Sequence, residues 1–216
     1  MMFRDRTEAG LRLAEALDYL READPIILAL PRGGVVVAAA VARALEAPLD
    51  VLVVRKLGAP MQPEFGFGAV SGDVCVLDDR TVGALGLSED EINRVVATER
   101  AELHRREATY REGLPPLDVT GRTVVLIDDG LATGGTARAA ARALRQMSPT
   151  RIVLAVPVAP PDTAAHLGKD VDELVCLATP PDFQAVGRWY HYFDQTSDTE
   201  VLDLLRQARR RQASHA

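Results

Sequence analysis

Residues 124–136, Val124-Val125-Leu126-Ile127-Asp128-Asp129-Gly130-Leu131-Ala132-Thr133-Gly134-Gly135-Thr136, run from a buried-strand pattern into two carboxylates, a glycine and threonine loop, and a helix. Glycines let backbone N–H groups approach an anion, threonine hydroxyls add donors, and the following helix N-terminus adds partial positive charge; together they cradle a phosphate. Two acids at the strand's C-terminal end can accept hydrogen bonds from sugar hydroxyls, directly or through a metal ion. A ribose 5-phosphate fits that combination.

A second strand pattern ends in Pro31-Arg32-Gly33-Gly34 and opens directly into a helix, which is another anion site. In open α/β sheets the ligand sits beyond the strand C-termini where the strand order reverses, so two neighbouring strands can aim two such loops into one crevice. A third strand end, Val53-Val54-Arg55-Lys56, adds two cations. Residues 57–70 are punctuated by glycine and proline and are read as a mobile lid, with Glu64 a candidate for contact with a substrate base or for proton transfer. Residues 181–190 gather Phe183, Trp189 and Tyr190 in a chain with only 5% aromatic residues, and an aromatic wall stacks on a flat base.

The elements that must position these groups follow from hydrophobic period. Aliphatic runs at residues 25–30, 50–54, 123–127, 151–156 and 173–177 are apolar on both faces, the mark of a parallel sheet covered by helices, and helical patterns at 35–45, 136–147 and 162–167 lie between them. The reading is repeated β-α-β units, with an antiparallel edge strand at 73–77 after Ser71-Gly72. Asp5 with Glu8 and Ser197 with Glu200 start amphipathic helices at the two ends. Ser88 with Glu91 starts a long charged helix to residue 112, whose thin apolar stripe suits packing or contact with a second copy rather than catalysis. The arginines at 206 and 209–211 are read as a solvated helix end rather than a nucleic-acid patch. Cys75 and Cys176 sit in aliphatic runs and are read as small buried hydrophobes, not as a disulfide or metal site.

Composition bounds the rest. With 216 residues, 47% hydrophobic and 26% charged, the chain reads as one domain with ample core. A net charge of −6 offers no general attraction for nucleic acid or an anionic membrane, so any phosphate must be held locally. The longest apolar run, residues 35–42, is far short of the roughly 18 residues of a membrane span, and no signal-peptide pattern opens the sequence. A cytoplasmic location without nucleic-acid or membrane partners is expected.

Residues 124–136 resemble the 5-phosphoribosyl-1-pyrophosphate (PRPP) signature of the type I phosphoribosyltransferases, closest to the functionally unassigned members. The resemblance implies a three-layer α/β/α fold, mostly parallel, with strand order 3-2-1-4-5-6, strand 3 antiparallel, and a small hood. It covers about residues 26–193 of a single domain spanning 1–216: core about 21–178, helical insertion about 80–118, hood about 179–196 with the N-terminal segment, and a C-terminal helix 198–212. By position it assigns Asp128 and Asp129 to the ribose hydroxyls and, indirectly, to Mg²⁺. It assigns Ala132, Thr133, Gly134, Gly135 and Thr136 to the 5-phosphate. Arg32, Gly33, Gly34, Lys56 and, less directly, Arg55 fall to pyrophosphate, with a cis peptide between Pro31 and Arg32. Phe183, Val186, Trp189 and Tyr190 fall to the base-binding hood. Its order resembles the hood of 6-oxopurine enzymes, although in register on Val186-Gly187 their stacking aromatic falls on Gln184. The loop, with Ala132 where those enzymes carry an acid, looks more like that of adenine and uracil enzymes. The implied activity is transfer of phosphoribosyl from Mg-PRPP to a base or other amine, in a protein that forms a homodimer or acts alone. The alternatives are a PRPP- or nucleotide-sensing module and an enzyme running in reverse or by phosphorolysis.

Overall fold

Strands with no polar face need cover on both sides, and the chain supplies it in alternation. The computed structural model describes residues 1–60 and 62–214, those at 62–64 by backbone alone. In chain order the elements are α1 (Arg6–Ala16), β1 (Ile26–Ala29), α2 (Gly33–Leu45), β2 (Leu49–Val51), β3 (Arg55–Ala59), β4 (Gln62–Ser71), β5 (Val74–Leu77), α3 (Asp79–Leu85), α4 (Glu89–Arg111), β6 (Thr123–Ile127), α5 (Gly135–Gln146), β7 (Arg151–Val158), α6 (Pro161–Leu167), β8 (Glu173–Ala178) and α7 (Asp198–Ala213). Short 3₁₀ turns lie at Asp18–Ala23 and Val186–Trp189. No described helix is long and apolar enough to cross a membrane.

Five strands form a parallel sheet in the order β2-β1-β6-β7-β8. Successive side chains alternate between its faces. Ile27, Ala29, Val125, Ile127, Val153 and Ala155 pack with the buried stripes of α1, α2 and α7. Leu28, Leu126, Ile152 and Leu154 pack with the alanine face of α5 and with Leu167 of α6. This is the expected α/β/α layering. From β1 the chain crosses outward to β2, while β6 starts on β1's other side, so the strand order reverses between β1 and β6. Their C-terminal ends are level, with Ala29 paired to Ile127 and the Leu30 N–H donating to the Ile127 carbonyl at 2.9 Å.

The antiparallel strands stand apart from the implied six-strand order. They make their own sheet, β3-β4-β5, with β5 at its edge. Of the segment read as a lid, residues 57–59 and 62–70 belong to the paired strands β3 and β4, and Leu57, Phe67 and Val70 are fully buried. Cys75 corrects another expectation. The edge strand β5 alternates in burial and turns this thiol to solvent, whereas Cys176 is half-buried and its thiol is pushed up by burial. Helix α4 opens with the expected capping box, Ser88 and Glu91. It docks through buried Leu103 and Tyr110, the Tyr110 hydroxyl donating to Asp198, and Arg111 grips Asp50 through both nitrogens, Nε at 3.1 Å and Nη2 at 3.0 Å.

Candidate active site

The two acids end β6, where the strand order reverses. Asp128 accepts the Asp129 backbone N–H at 2.9 Å. Burial, and then the Asp129 charge beside it, holds its carboxyl well above the usual range. Asp129 is also raised by burial, but the Arg6 guanidinium opposes the shift: Nε donates to Oδ2 at 2.7 Å, with the two side chains 12% and 16% exposed. Arg6 is fixed in turn. It stacks over the Phe193 ring at 3.9 Å and donates to the Asp194 carbonyl at 2.8 Å. The Tyr190 hydroxyl donates to the Asp129 carbonyl at 2.6 Å.

Beyond these acids lie two helix starts. Neither α2 nor α5 has a side-chain hydrogen bond at its N-cap, an arrangement that can offer first-turn N–H groups to an anion; the Gly135 N–H of α5 reaches Thr133 Oγ1 at 3.5 Å and the Val35 N–H of α2 donates to the Arg32 carbonyl at 3.1 Å. Ala132, Thr133 and Thr136 are exposed on the α5 loop, which is pinned by Thr163 Oγ1 donating to the Ala132 carbonyl at 3.0 Å. Gly134 adopts φ 71°, the left-handed region that glycine takes without penalty. The α2 loop carries the implied cis peptide between Pro31 and Arg32. Gly33 and Gly34 let the two loops touch. A Cβ on Gly33 would fall 2.0 Å from Asp129 Oδ2, and one on Gly34 would fall 2.8 Å from the Ile127 carbonyl oxygen.

Lys56 joins them from β3. Its side chain runs beside the α5 loop, with Cδ 4.0 Å from where a Gly135 Cβ would stand. Arg55 turns to α4 instead, donating from Nε to Glu99 at 2.7 Å. A cleft of about 750 Å³ has Pro31, Lys56 and Thr136 on one wall and Arg94, Thr98 and Arg106 of α4 on the other. Helix α4, expected to pack or to contact a second copy, also lines this cleft through these residues. The Glu64 side chain lies outside the described residues.

The aromatic segment lies over the acids. Val186 packs on Gly130, where a Cβ would meet its Cγ1 at 2.6 Å. Tyr190 is only 5% exposed, its ring between Phe3 (centroids 5.5 Å apart) and Phe193 (5.0 Å), so it builds the segment's own core rather than offering a stacking face. Phe183 and Trp189 are half-buried, and the Trp189 indole N–H is buried without an acceptor. The N-terminal strand segment completes this structure, Phe3 bonding to Trp189 and His191 through its backbone. Arg6, Phe193 and Arg106 escaped the sequence reading; Asp5, the observed N-cap, marks where α1 starts but not what Arg6 meets.

Replacing Arg6 with Met should expose the cost of the Asp129 charge. We expect a loss of about 2 kcal/mol in urea unfolding at pH 7, since breaking a largely buried pair strands its partner. The loss should shrink as pH falls, because burial raises the Asp129 carboxyl and, without the opposing Arg6 charge, it takes up a proton more readily.

The family model of the phosphoribosyl transferase domain matches residues 9–193. The chain belongs to that family. "Putative phosphoribosyl transferase Rv0571c" of Mycobacterium tuberculosis H37Rv is 48% identical over 210 residues, covering 97% of this chain and 47% of that protein. The chain thus spans about half the length of the curated relatives it matches. The crystal structure of TT1426 from Thermus thermophilus superposes with a TM-score of 0.89 at 44% identity, over 96% of this chain and 99% of that one. An adenine phosphoribosyltransferase of Mycobacterium avium is 46% identical over 61 residues, 28% of this chain and 34% of that protein. In this chain the ends of β1 and β6 carry the two loops, α4 lines the cleft beside Pro31 and Thr136, and the aromatic segment packs on Gly130 through Val186.

Proposed function

We propose that the protein binds Mg-PRPP and transfers its 5-phosphoribosyl group to a nitrogenous base or another amine, releasing pyrophosphate. The observation that carries this is the meeting of two helix starts, without side-chain caps, over the paired acids Asp128 and Asp129 at the sheet's switch point. In this reading the α5 loop, Ala132 to Thr136, holds the 5-phosphate, and Asp128 and Asp129 accept the ribose hydroxyls. Arg32, Gly33, Gly34 and Lys56 hold pyrophosphate, with Arg55 behind them on Glu99.

The acceptor nitrogen bonds to C1 as the C1–O bond to pyrophosphate breaks, through an oxocarbenium-like transition state. Positive charge develops on the sugar and negative charge on the leaving group, so fixed dipoles and cations at the strand ends act where charge grows. Mg²⁺ would neutralise pyrophosphate charge. Two adjacent carboxylates are hard oxygen donors that suit it, and among the described residues no cluster of three or more ligating side chains forms a cage, which fits an ion arriving with phosphate oxygens. Phe183, Val186 and Trp189 are the base-facing candidates of the hood, and Glu64 the candidate for the base proton.

The test is pyrophosphate release from PRPP and magnesium across purines, pyrimidines and simple amines. Release with one acceptor names the substrate. Silence with every acceptor, alongside tight PRPP binding, would replace the transferase by a sensor.

A further inference from the structure

Helix α4 brings more positive charge to the crevice than the phosphate loops account for. Beside the larger cleft lies a smaller polar cavity of about 240 Å³, bounded by Arg32, Arg105, Arg106, Thr109, Tyr110 and Asp198 together with Pro31. Pro31 and Arg106 line both cavities, so Arg106 stands at their junction, across from the loop that begins α2. Among the described residues that line the two cavities are the cations Arg32, Arg94, Arg105 and Arg106, together with Arg55, which is paired with Glu99, and the acids Glu91 and Asp198. This concentration occurs in a chain whose net charge is −6.

The counter-ions are shared thinly. Glu102 serves both Arg105 and Arg106 at 2.8 Å, and Asp198, which lies 3.9 Å from Arg32, already accepts the Tyr110 hydroxyl. Arg94 donates from Nε to the Asp90 backbone carbonyl at 3.2 Å. One carboxylate between two guanidiniums leaves excess positive charge, and a guanidinium fork binds two phosphate oxygens at once.

We propose that Arg106 of α4 is a pyrophosphate-binding residue, closing over a diphosphate held at the loop of Arg32, Gly33 and Gly34, with Arg94 and Arg105 as outer electrostatic support. The ligand class is a diphosphate, either inorganic pyrophosphate or the diphosphate of PRPP. The proposal rests on the reading that this loop holds pyrophosphate. It gives α4 a function besides packing: the helix supplies charge on the leaving-group side, away from the hood.

The experiment titrates Mg-pyrophosphate and, separately, ribose 5-phosphate and Mg-PRPP into the full chain by calorimetry. It compares the wild type, Arg106→Gln and Arg106→Lys, with circular dichroism to verify folding. Arg106→Gln should weaken pyrophosphate tenfold or more and leave ribose 5-phosphate within twofold, and Arg106→Lys should recover part of the loss. A smaller effect on pyrophosphate, or parallel weakening of both ligands, overturns the proposal. Pyrophosphate binding that depends on Arg106 in a wild type that takes neither ribose 5-phosphate nor PRPP would instead remove the PRPP reading and keep this one. A wild type that binds no pyrophosphate removes the proposal together with its assignment of the α2 loop.

Discussion

Changing Asp128 and Asp129 together to asparagine should weaken PRPP binding by at least about 100-fold, while Asp128→Asn alone should make the protein more stable at neutral pH. Each carboxylate that accepts a sugar hydroxyl contributes about 1.5–3 kcal/mol as a charged hydrogen-bond partner, so losing both weakens PRPP by roughly 100- to 10,000-fold. Unchanged affinity in calorimetry would overturn the ribose assignment. The stability effect has the opposite sign because the Asp128 charge is buried beside Asp129. Its native carboxyl titrates above the unfolded one. The protonated form's contribution to stability is therefore complete below the unfolded value near pH 4 and is lost as pH rises through the native value. Asparagine keeps an oxygen for the Asp129 N–H and carries no charge. We expect a gain of about 1–3 kcal/mol at pH 7, narrowing towards pH 4, in urea titrations at both pH values.

Gly34→Ala should lose both binding and stability. A Cβ there would meet the Ile127 carbonyl oxygen at 2.8 Å and the Asp128 Cα at 3.0 Å, both backbone atoms that no rotamer can move aside. Relief requires the first turn of α2 to back away from the end of β6, which opens the gap between the two anion loops. Such overpacking costs about 1–3 kcal/mol, and in a chain of this size each kcal/mol lowers Tm by roughly 2–4 °C. A thermal melt unchanged within 1 °C, together with wild-type pyrophosphate affinity, would show that the loops do not need their observed contact. Paired with Asp128→Asn, this variant separates two ways to lose function: one relieves a buried charge and the other forces two backbones apart.

The main sheet was legible because its signal is local. Five aliphatic runs, glycines at the helix starts and acids at the end of β6 each announce themselves within a dozen residues. The hairpin of β3 and β4 was not. Phe67 and Ala69 point inward, but glycines at 66 and 68 stand where a strand would show polar residues, so no period of two is visible. Gly68 has its own reason, since a Cβ there would fall 2.4 Å from the Val76 carbonyl oxygen on β5. Arg6 and Arg106 were illegible for another reason. Each reads as an ordinary helix-surface arginine, and what distinguishes them is a neighbour supplied by a distant strand end or loop. Tyr190 shows the converse, since an aromatic at the right position was taken by packing against Phe3 and Phe193.

The contacts of Arg6 also govern the order in which a newly made chain can finish this site. Its carboxylate partner lies 123 residues further along, and the carbonyl that fixes its other end lies 188 residues away. The sheet order β2-β1-β6 can form once β6 has left the ribosome, yet the Arg6 clamp waits for Phe193 and Asp194. Domains emerge N-terminus first at about 5–20 residues per second, so Arg6 and the acids of β6 wait several seconds of each synthesis for the ring and carbonyl that fix the guanidinium. A nascent chain stalled before residue 193 would leave Arg6 beside Asp129 without the ring and the carbonyl that hold its guanidinium in place.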